Sequence, residues 1–429
     1  MITAGGPPVH VILFALGSQG DVSPLHLIAR ELRRREHEVT FVALPGFRTD
    51  PKDQFDIVTA PHDLAPELRP IAGGTSILSK TWFRRGFSSW RASVPLMMRR
   101  TRWMHEFVKA RHVRNRTVVL ARGGLFGARI AREILDIRLI TVHHTPSSFR
   151  SRYESLLLPI PEGTHGALRA ARDLLWRGMD CYVGSLLRPH LNIYRRHLNL
   201  PPIQRLFDKW VFSPDMNLGL FPEWFARPQP DWPTNTQLAG FPLIDENENG
   251  ALSDEVHGFL SRGGPVIVFT RGSHAVSGAE FFLMSRALCR KKGLRGLLLG
   301  VAPGSHPQPR NPSMLQVDFA PLAGVLRRAS VLVHHGGVGT CALAFRAGVP
   351  QIVIPGIGDQ WEQAKRVARL GCGIYLPPRS LNEAKLASIL VTIMENEGMR
   401  ARCAKIAKNF HSDGISEAAS LVELAGKRT

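Results

Sequence analysis

Residues 317–363, VDFAPLAGVLRRASVLVHHGGVGTCALAFRAGVPQIVIPGIGDQWEQ, constrain the fold more than any other part of the chain. Val331–Val333 is a short apolar run that stops at His334-His335-Gly336-Gly337-Val338-Gly339-Thr340. Helix formers follow at 342–347, Gly348-Val349-Pro350 ends that helix, and Gln351–Ile354 reads as a second buried strand. A strand that runs into a glycine loop and opens a helix aims several backbone N–H groups at one point. The helix N-terminus adds about half a positive charge there, which makes a seat for phosphate. Asp359-Gln360 lies on the next loop at the same edge of the sheet, so a carboxylate and an amide can meet hydroxyls attached to that phosphate.

The loop is neither the dinucleotide GxGxxG nor the phosphate loop with its lysine. On glycines alone it is an ordinary nucleotide-binding βαβ unit. Its full spacing says more: Phe319-Ala320-Pro321, then His335 to Thr340, Gly348-Val349-Pro350, Pro355 and Asp359-Gln360, with Asp359 standing 24 positions after His335. This resembles the donor signature of the family 1 glycosyltransferases, the UDP-glycosyltransferase superfamily. The form Gly17-Ser18-Gln19-Gly20-Asp21-Val22-Ser23-Pro24 is similar to the opening loop of its bacterial glycopeptide-antibiotic and sterol glucosyltransferase branch. Thr141–Ser151 (TVHHTPSSFRS) also resembles a stretch of the bacterial members.

The resemblance implies an α/β chain of GT-B fold, two Rossmann-like doubly wound domains facing across a cleft. Residues 1–230 would bind the acceptor, 231–246 would link, and 247–429 would bind the donor, with the final helix returning to the first domain. The Pro-, Trp- and Phe-rich composition of 200–246 suits a linker. The implied reaction is a metal-independent, inverting transfer of the hexosyltransferase type, from a UDP- or dTDP-linked sugar to a hydroxyl of a lipophilic or natural-product acceptor. Asp21 would be the base. His335, the loop Gly336-Gly337-Val338-Gly339 and Thr340 would steady the leaving diphosphate. Asp359 and Gln360 would hold the sugar, with Gly272, Ser273, Phe319 and Ala320 also on the donor. Ser18, Gln19, His143 and His144 would line the acceptor site. No cofactor or metal is implied beyond the nucleotide sugar. Many relatives carry a ribose-binding glutamate eight positions after the signature histidine, where this chain has Leu343, which leaves the choice of UDP or dTDP open.

Bland readings stand beside these. Asp21 is also a good cap for a helix beginning near Pro24. His143 and His144, adjacent in an extended strand, point to opposite faces and do not suggest a metal. The chain carries 55 basic against 35 acidic residues, net +20, and residues 76–117 interleave Arg and Lys with Trp, Phe and Met. That pattern fits peripheral contact with an anionic membrane, or a stripe packed on the domain beside solvated arginines. No nucleic-acid module is present. The absence of a basic stretch before the first apolar run argues for a strand there, and five scattered cysteines fit reduced thiols, so a cytoplasmic enzyme is expected, with membrane association as the alternative location. The alternatives are a sugar-nucleotide epimerase of the same fold, a non-enzymatic binding relative, and a glycosyltransferase acting on a membrane glycolipid.

Overall fold

A computed structural model describes residues 8–47, 50, 53–64, 80–158, 166–243, 251–271, 278–300, 312–356, 358–410 and 413–427, without the side chains of 80–90 and 278–279. The chain divides into two compact units.

The first unit is built on seven parallel strands: β1 (His10–Ala15), β2 (Glu38–Ala43), β3 (Asp56–Thr59), β4 (Thr117–Arg122), β5 (Arg138–His143), β6 (Met216–Gly219) and β7 (Thr236–Leu238). Their order is β3-β2-β1-β4-β5-β6-β7. Four long helices belong to it, α1 (Gln19–Arg34), α2 (Lys80–Arg111), α3 (Phe126–Ile134) and α4 (Gly166–His197). The core follows from the two-residue period of an extended strand. Val11, Leu13 and Ala15 of β1 face one way, onto Leu25, Ile28 and Leu32 of α1. Ile12 and Phe14 face the other way, onto Met104 and Val108 of α2 and Ala128 of α3. A sheet covered on both faces needs strands that are apolar throughout, which is how β1 reads.

The second unit repeats the scheme with six parallel strands: β8 (Val266–Thr270), β9 (Arg295–Leu299), β10 (Met314–Val317), β11 (Val331–His334), β12 (Gln351–Val353) and β13 (Gly373–Tyr375), in the order β10-β9-β8-β11-β12-β13. Its helices are α5 (Asp254–Ser261), α6 (Gly278–Lys292), α7 (Leu322–Leu326), α8 (Val338–Ala347), α9 (Gln360–Arg369), α10 (Glu383–Glu395) and α11 (Glu397–Lys408). The last helix, α12 (Gly414–Lys427), belongs to the first unit. There Ala418 and Val422 join the β1 core, while Arg35 donates to the Ser416 hydroxyl (2.7 Å) and carbonyl (2.9 Å).

Helix α1 starts at Gln19, not near Pro24, because Ser18 takes the cap position and the chain turns at once. The basic stretch also resolves in part. Val94, Met98, Met104 and Val108 are buried, and Trp103 and Phe107 pack edge-on against Phe14, so this part of the apolar stripe is core. Arg91, Arg99, Arg102 and Lys109 lie on the exposed side of α2. Trp82, Phe83, Phe87 and Trp90 lie outside the described side chains. No described helix is long and apolar enough to cross a membrane. All five cysteines are free thiols.

Helices α2 and α3 cross at Gly127, where an added Cβ would stand 2.4 Å from the Thr101 carbonyl oxygen and 2.5 Å from the Met104 Cβ. Backbone cannot yield as a side-chain tip can. Gly127→Ala is therefore expected to destabilise the protein by about 1–3 kcal/mol in urea unfolding. Gly124→Ala, with open space around it, serves as the control.

Candidate active site

In each sheet the winding direction reverses between two neighbouring strands, β1 and β4 in the first unit, β8 and β11 in the second. The connections leave these strands to opposite sides, so a crevice opens at their carboxyl ends, where open α/β sheets hold ligands. The candidate residues gather at those two places.

In the first unit, Ser18 caps α1 and Asp21 sits in its first turn. The Asp21 carboxylate reaches back, and its Oδ2 accepts from the Ser18 N–H and the Ser18 hydroxyl, both at 2.9 Å. This is the return half of a capping box. The curl needs Gly17, since a Cβ there would lie 2.4 Å from Asp21 Oδ2. The other oxygen, Oδ1, is 2.7 Å from the Arg122 guanidinium at the end of β4 and 3.9 Å from His144 Nε2, just past β5. Burial opposes the charge on Asp21, but Arg122, His144 and the two Ser18 bonds outweigh it and hold its carboxyl below the usual aspartate value. Asp21 is thus both a capping residue and a carboxylate poised at the crevice.

The two histidines diverge, as neighbours in a strand must. His143 turns into the domain, its ring 4.2 Å from that of Phe149 and its Nε2 3.4 Å from Asn217 Oδ1. Burial pushes it down to about 3. His144 stays beside Asp21, is 8% exposed, and neither ring nitrogen has a hydrogen-bond partner among the described residues. Burial, then the charge of Arg122, push it down to about 4 against the pull of Asp21. Ser18, Asp21 and His144 therefore come together. Gln19 instead lies exposed and donates to the Ser23 hydroxyl at 2.9 Å.

In the second unit the glycine loop links β11 to α8. Gly336 adopts φ +92, a conformation open to glycine, and backs onto Val353 Cγ1 and the Gln360 carbonyl, which an added Cβ would meet at 2.9 and 3.0 Å. The His335 ring lies over Gly337, the cap of α8, where a Cβ would stand 2.7 Å from His335 Nε2. Val338, Gly339 and Thr340 form the first turn of α8, so their N–H groups open towards the crevice. Asp359 caps α9, near enough to Cys341 that its charge, after burial, helps push that thiol up. Gln360 turns inward, its Oε1 accepting from the Gly356 N–H at 2.8 Å. Phe319 is 80% exposed, while Ala320 beside it is core. Leu343 packs against the hydrophobic core. Gly272 and Ser273 lie outside the described residues.

Two residues absent from the sequence-level assignment stand in these crevices. Arg122 ends the apolar run VVLA, and its position was the signal available, since a charge at the carboxyl end of a buried strand lies at the ligand edge. Arg271 directly follows β8, and its guanidinium lies 5.4 Å from the centre of the Phe281 ring.

The charges around Asp21 make a prediction that needs no substrate. Burial is the largest influence on its carboxyl and acts upward, so Arg122→Met, which removes the main opposing charge, should raise the Asp21 pKa. Carboxyl-carbon NMR titration reads this directly. An unmoved Asp21 resonance would mean that Arg122 is solvated and not paired.

Several known proteins are similar to this chain. Residues 306–423 match the family model described as erythromycin biosynthesis protein CIII-like, C-terminal domain. Glycosyltransferase GtfE of Amycolatopsis orientalis is 29% identical over 96% of this chain and 97% of its own length. The sterol 3-beta-glucosyltransferase of Yarrowia lipolytica is 23% identical over 94% of this chain but 28% of its own. Among solved structures, the glycosyltransferase of kitacinnamycin aligns with TM-score 0.72 at 17% identity, covering 97% of this chain and 99% of the other. VinC, solved in complex with dTDP, aligns with TM-score 0.66 at 17% identity over 98% and 100%.

Proposed function

We propose that this chain, which has the GT-B fold and is similar to glycosyltransferases over nearly its whole length, is a family 1 glycosyltransferase that inverts the anomeric carbon of a nucleoside diphosphate sugar while transferring that sugar to a hydroxyl of a lipophilic natural product. The observation that carries this reading is the pair of crevices, one presenting a carboxylate and the other a glycine loop with a histidine over a helix N-terminus. A hydroxyl acceptor and a diphosphate leaving group need those two chemistries.

Asp21 acts as the base. At rest Ser18 holds one of its oxygens and Arg122 the other, and the Arg122 side chain is 45% exposed, so an acceptor hydroxyl can take its place at Oδ1. As the hydroxyl oxygen attacks the anomeric carbon, its proton passes to Asp21 and the bond to the diphosphate oxygen breaks. The low pKa keeps Asp21 ionised at neutral pH, and His144, pushed down to about 4, is neutral there and adds no competing charge. His335 and the first N–H groups of α8 receive the charge that grows on the diphosphate. Protein donors already aimed at that point fill the role a metal would otherwise have. Asp359, at the start of α9, is the carboxylate assigned to the sugar hydroxyls. With Leu343 packed against the core, the nucleoside lacks a carboxylate at that position, and both UDP and dTDP sugars are candidate donors.

The test is incubation with UDP- and dTDP-sugars, alone and with a panel of glycopeptide, macrolactone and sterol acceptors. Transfer with inversion is expected. Epimerised nucleotide sugar formed without acceptor would replace this reading with the epimerase.

Two variants probe the roles. Asp21→Asn keeps an oxygen that can accept from the Ser18 N–H and should lower turnover by about 10² to 10⁴-fold, while nucleotide affinity in calorimetry stays near wild type. His335→Ala should cost on the order of 10²-fold in rate. Turnover near wild type in Asp21→Asn would reduce Asp21 to a helix cap and leave His144, its unbonded neighbour, as the base to examine.

A further inference from the structure

His334, the last residue of β11, is fully buried and lies beneath the glycine loop. Its Nδ1 is 3.2 Å from the Gly336 backbone nitrogen, and its Nε2 is 3.0 Å from Gln351 Oε1 at the start of β12. The backbone N–H can only donate, so Nδ1 accepts. The ring proton therefore resides on Nε2 and is donated to Gln351. The ring is held between the loop and the adjacent parallel strand, in one tautomer.

We propose that His334 is a positioning residue for the reaction, a tautomer-locked clamp that holds Gly336 in its left-handed conformation and thereby sets where His335 and the amides of α8 point. The inference rests on the reading that this loop takes the diphosphate.

The physical case has three parts. Gly336 is the one residue of the loop at positive φ, and its N–H would otherwise be an orphaned buried donor, which costs more than a hydrogen bond gains. The loop has no slack, because Gly336 lies against Val353 and the Gln360 carbonyl. The turn made at Gly336 thus also fixes the distance between the two halves of the donor signature. Thirdly, the clamp stays in the accepting form: burial, then the neighbouring His335, push His334 down to about 3 against the pull of Gln351. Protonating Nδ1 would break the bond to Gly336, and at neutral pH that does not occur.

The experiment compares His334→Leu, which fills the site but neither accepts nor donates, with His334→Asn, whose carbonyl can stand in for Nδ1. Hydrogen exchange of the Gly336 amide and calorimetric affinity for UDP and dTDP are measured on the full chain. His334→Leu is expected to speed exchange at Gly336 and weaken nucleotide binding, each on the order of ten-fold, the value of about one hydrogen bond. His334→Asn should restore both to near wild type. Equal damage in the two variants, or an unchanged Gly336 amide in His334→Leu, overturns the clamp. If His334→Leu does not fold, Gln351→Met unlocks the tautomer from the other end and should also speed exchange; an unchanged amide there overturns the proposal. His335→Ala separates the two readings. If it weakens nucleotide binding while His334→Leu does not, the clamp is wrong. If neither affects binding but exchange responds, the clamp stands and the diphosphate reading of the loop falls.

Discussion

The reversal of winding in a parallel sheet governs what this molecule can do. All strands of a sheet run the same way, so their carboxyl ends share one edge, and helices cover both faces. Only where successive connections part, between β1 and β4 and between β8 and β11, is that edge open. Asp21, Arg122 and His144 stand at the first opening, and His335 with the glycine loop at the second. The apolar interior determines where polar chemistry is permitted, and the chain places its charged and hydrogen-bonding groups there.

Those groups are held by neighbours rather than left to water. Two bonds from Ser18 and one guanidinium surround the Asp21 carboxylate, which keeps it charged despite its partial burial. Three histidines at strand ends, His143, His144 and His334, are kept neutral because burial penalises the imidazolium more than nearby groups favour it. Neutral histidines next to loops have defined donors and acceptors. His334 uses both of its nitrogens, while His144 has neither engaged among the described residues.

The positive charge of the chain has a plainer structural counterpart. Along α2, from Val94 to Val108, apolar side chains enter the core while Arg99 and Arg102 face outward. An amphipathic helix on the surface of a sheet shows the same periodicity as one lying on a lipid surface, and the difference is whether a domain already covers its apolar face.

Period and spacing by themselves determined the α/β class, the strands, and the glycine loop that ends β11, because each rests on local chemistry: apolar runs, glycine freedom and helix signals. They also carried the likeness to a family. Local signals did not settle which strand lies beside which, since neighbours in a sheet are chosen by long-range packing, and for that reason Arg122 could not be set against Asp21 from the sequence. Tertiary structure decided that Asp21 meets Arg122, that His143 leaves the ligand edge for an aromatic cluster, and that His334 lies under the loop. In each case a side chain near the backbone had two directions open to it. The choice fell to burial and to partners more than 15 residues away, such as Arg122, Asn217 and Gln351.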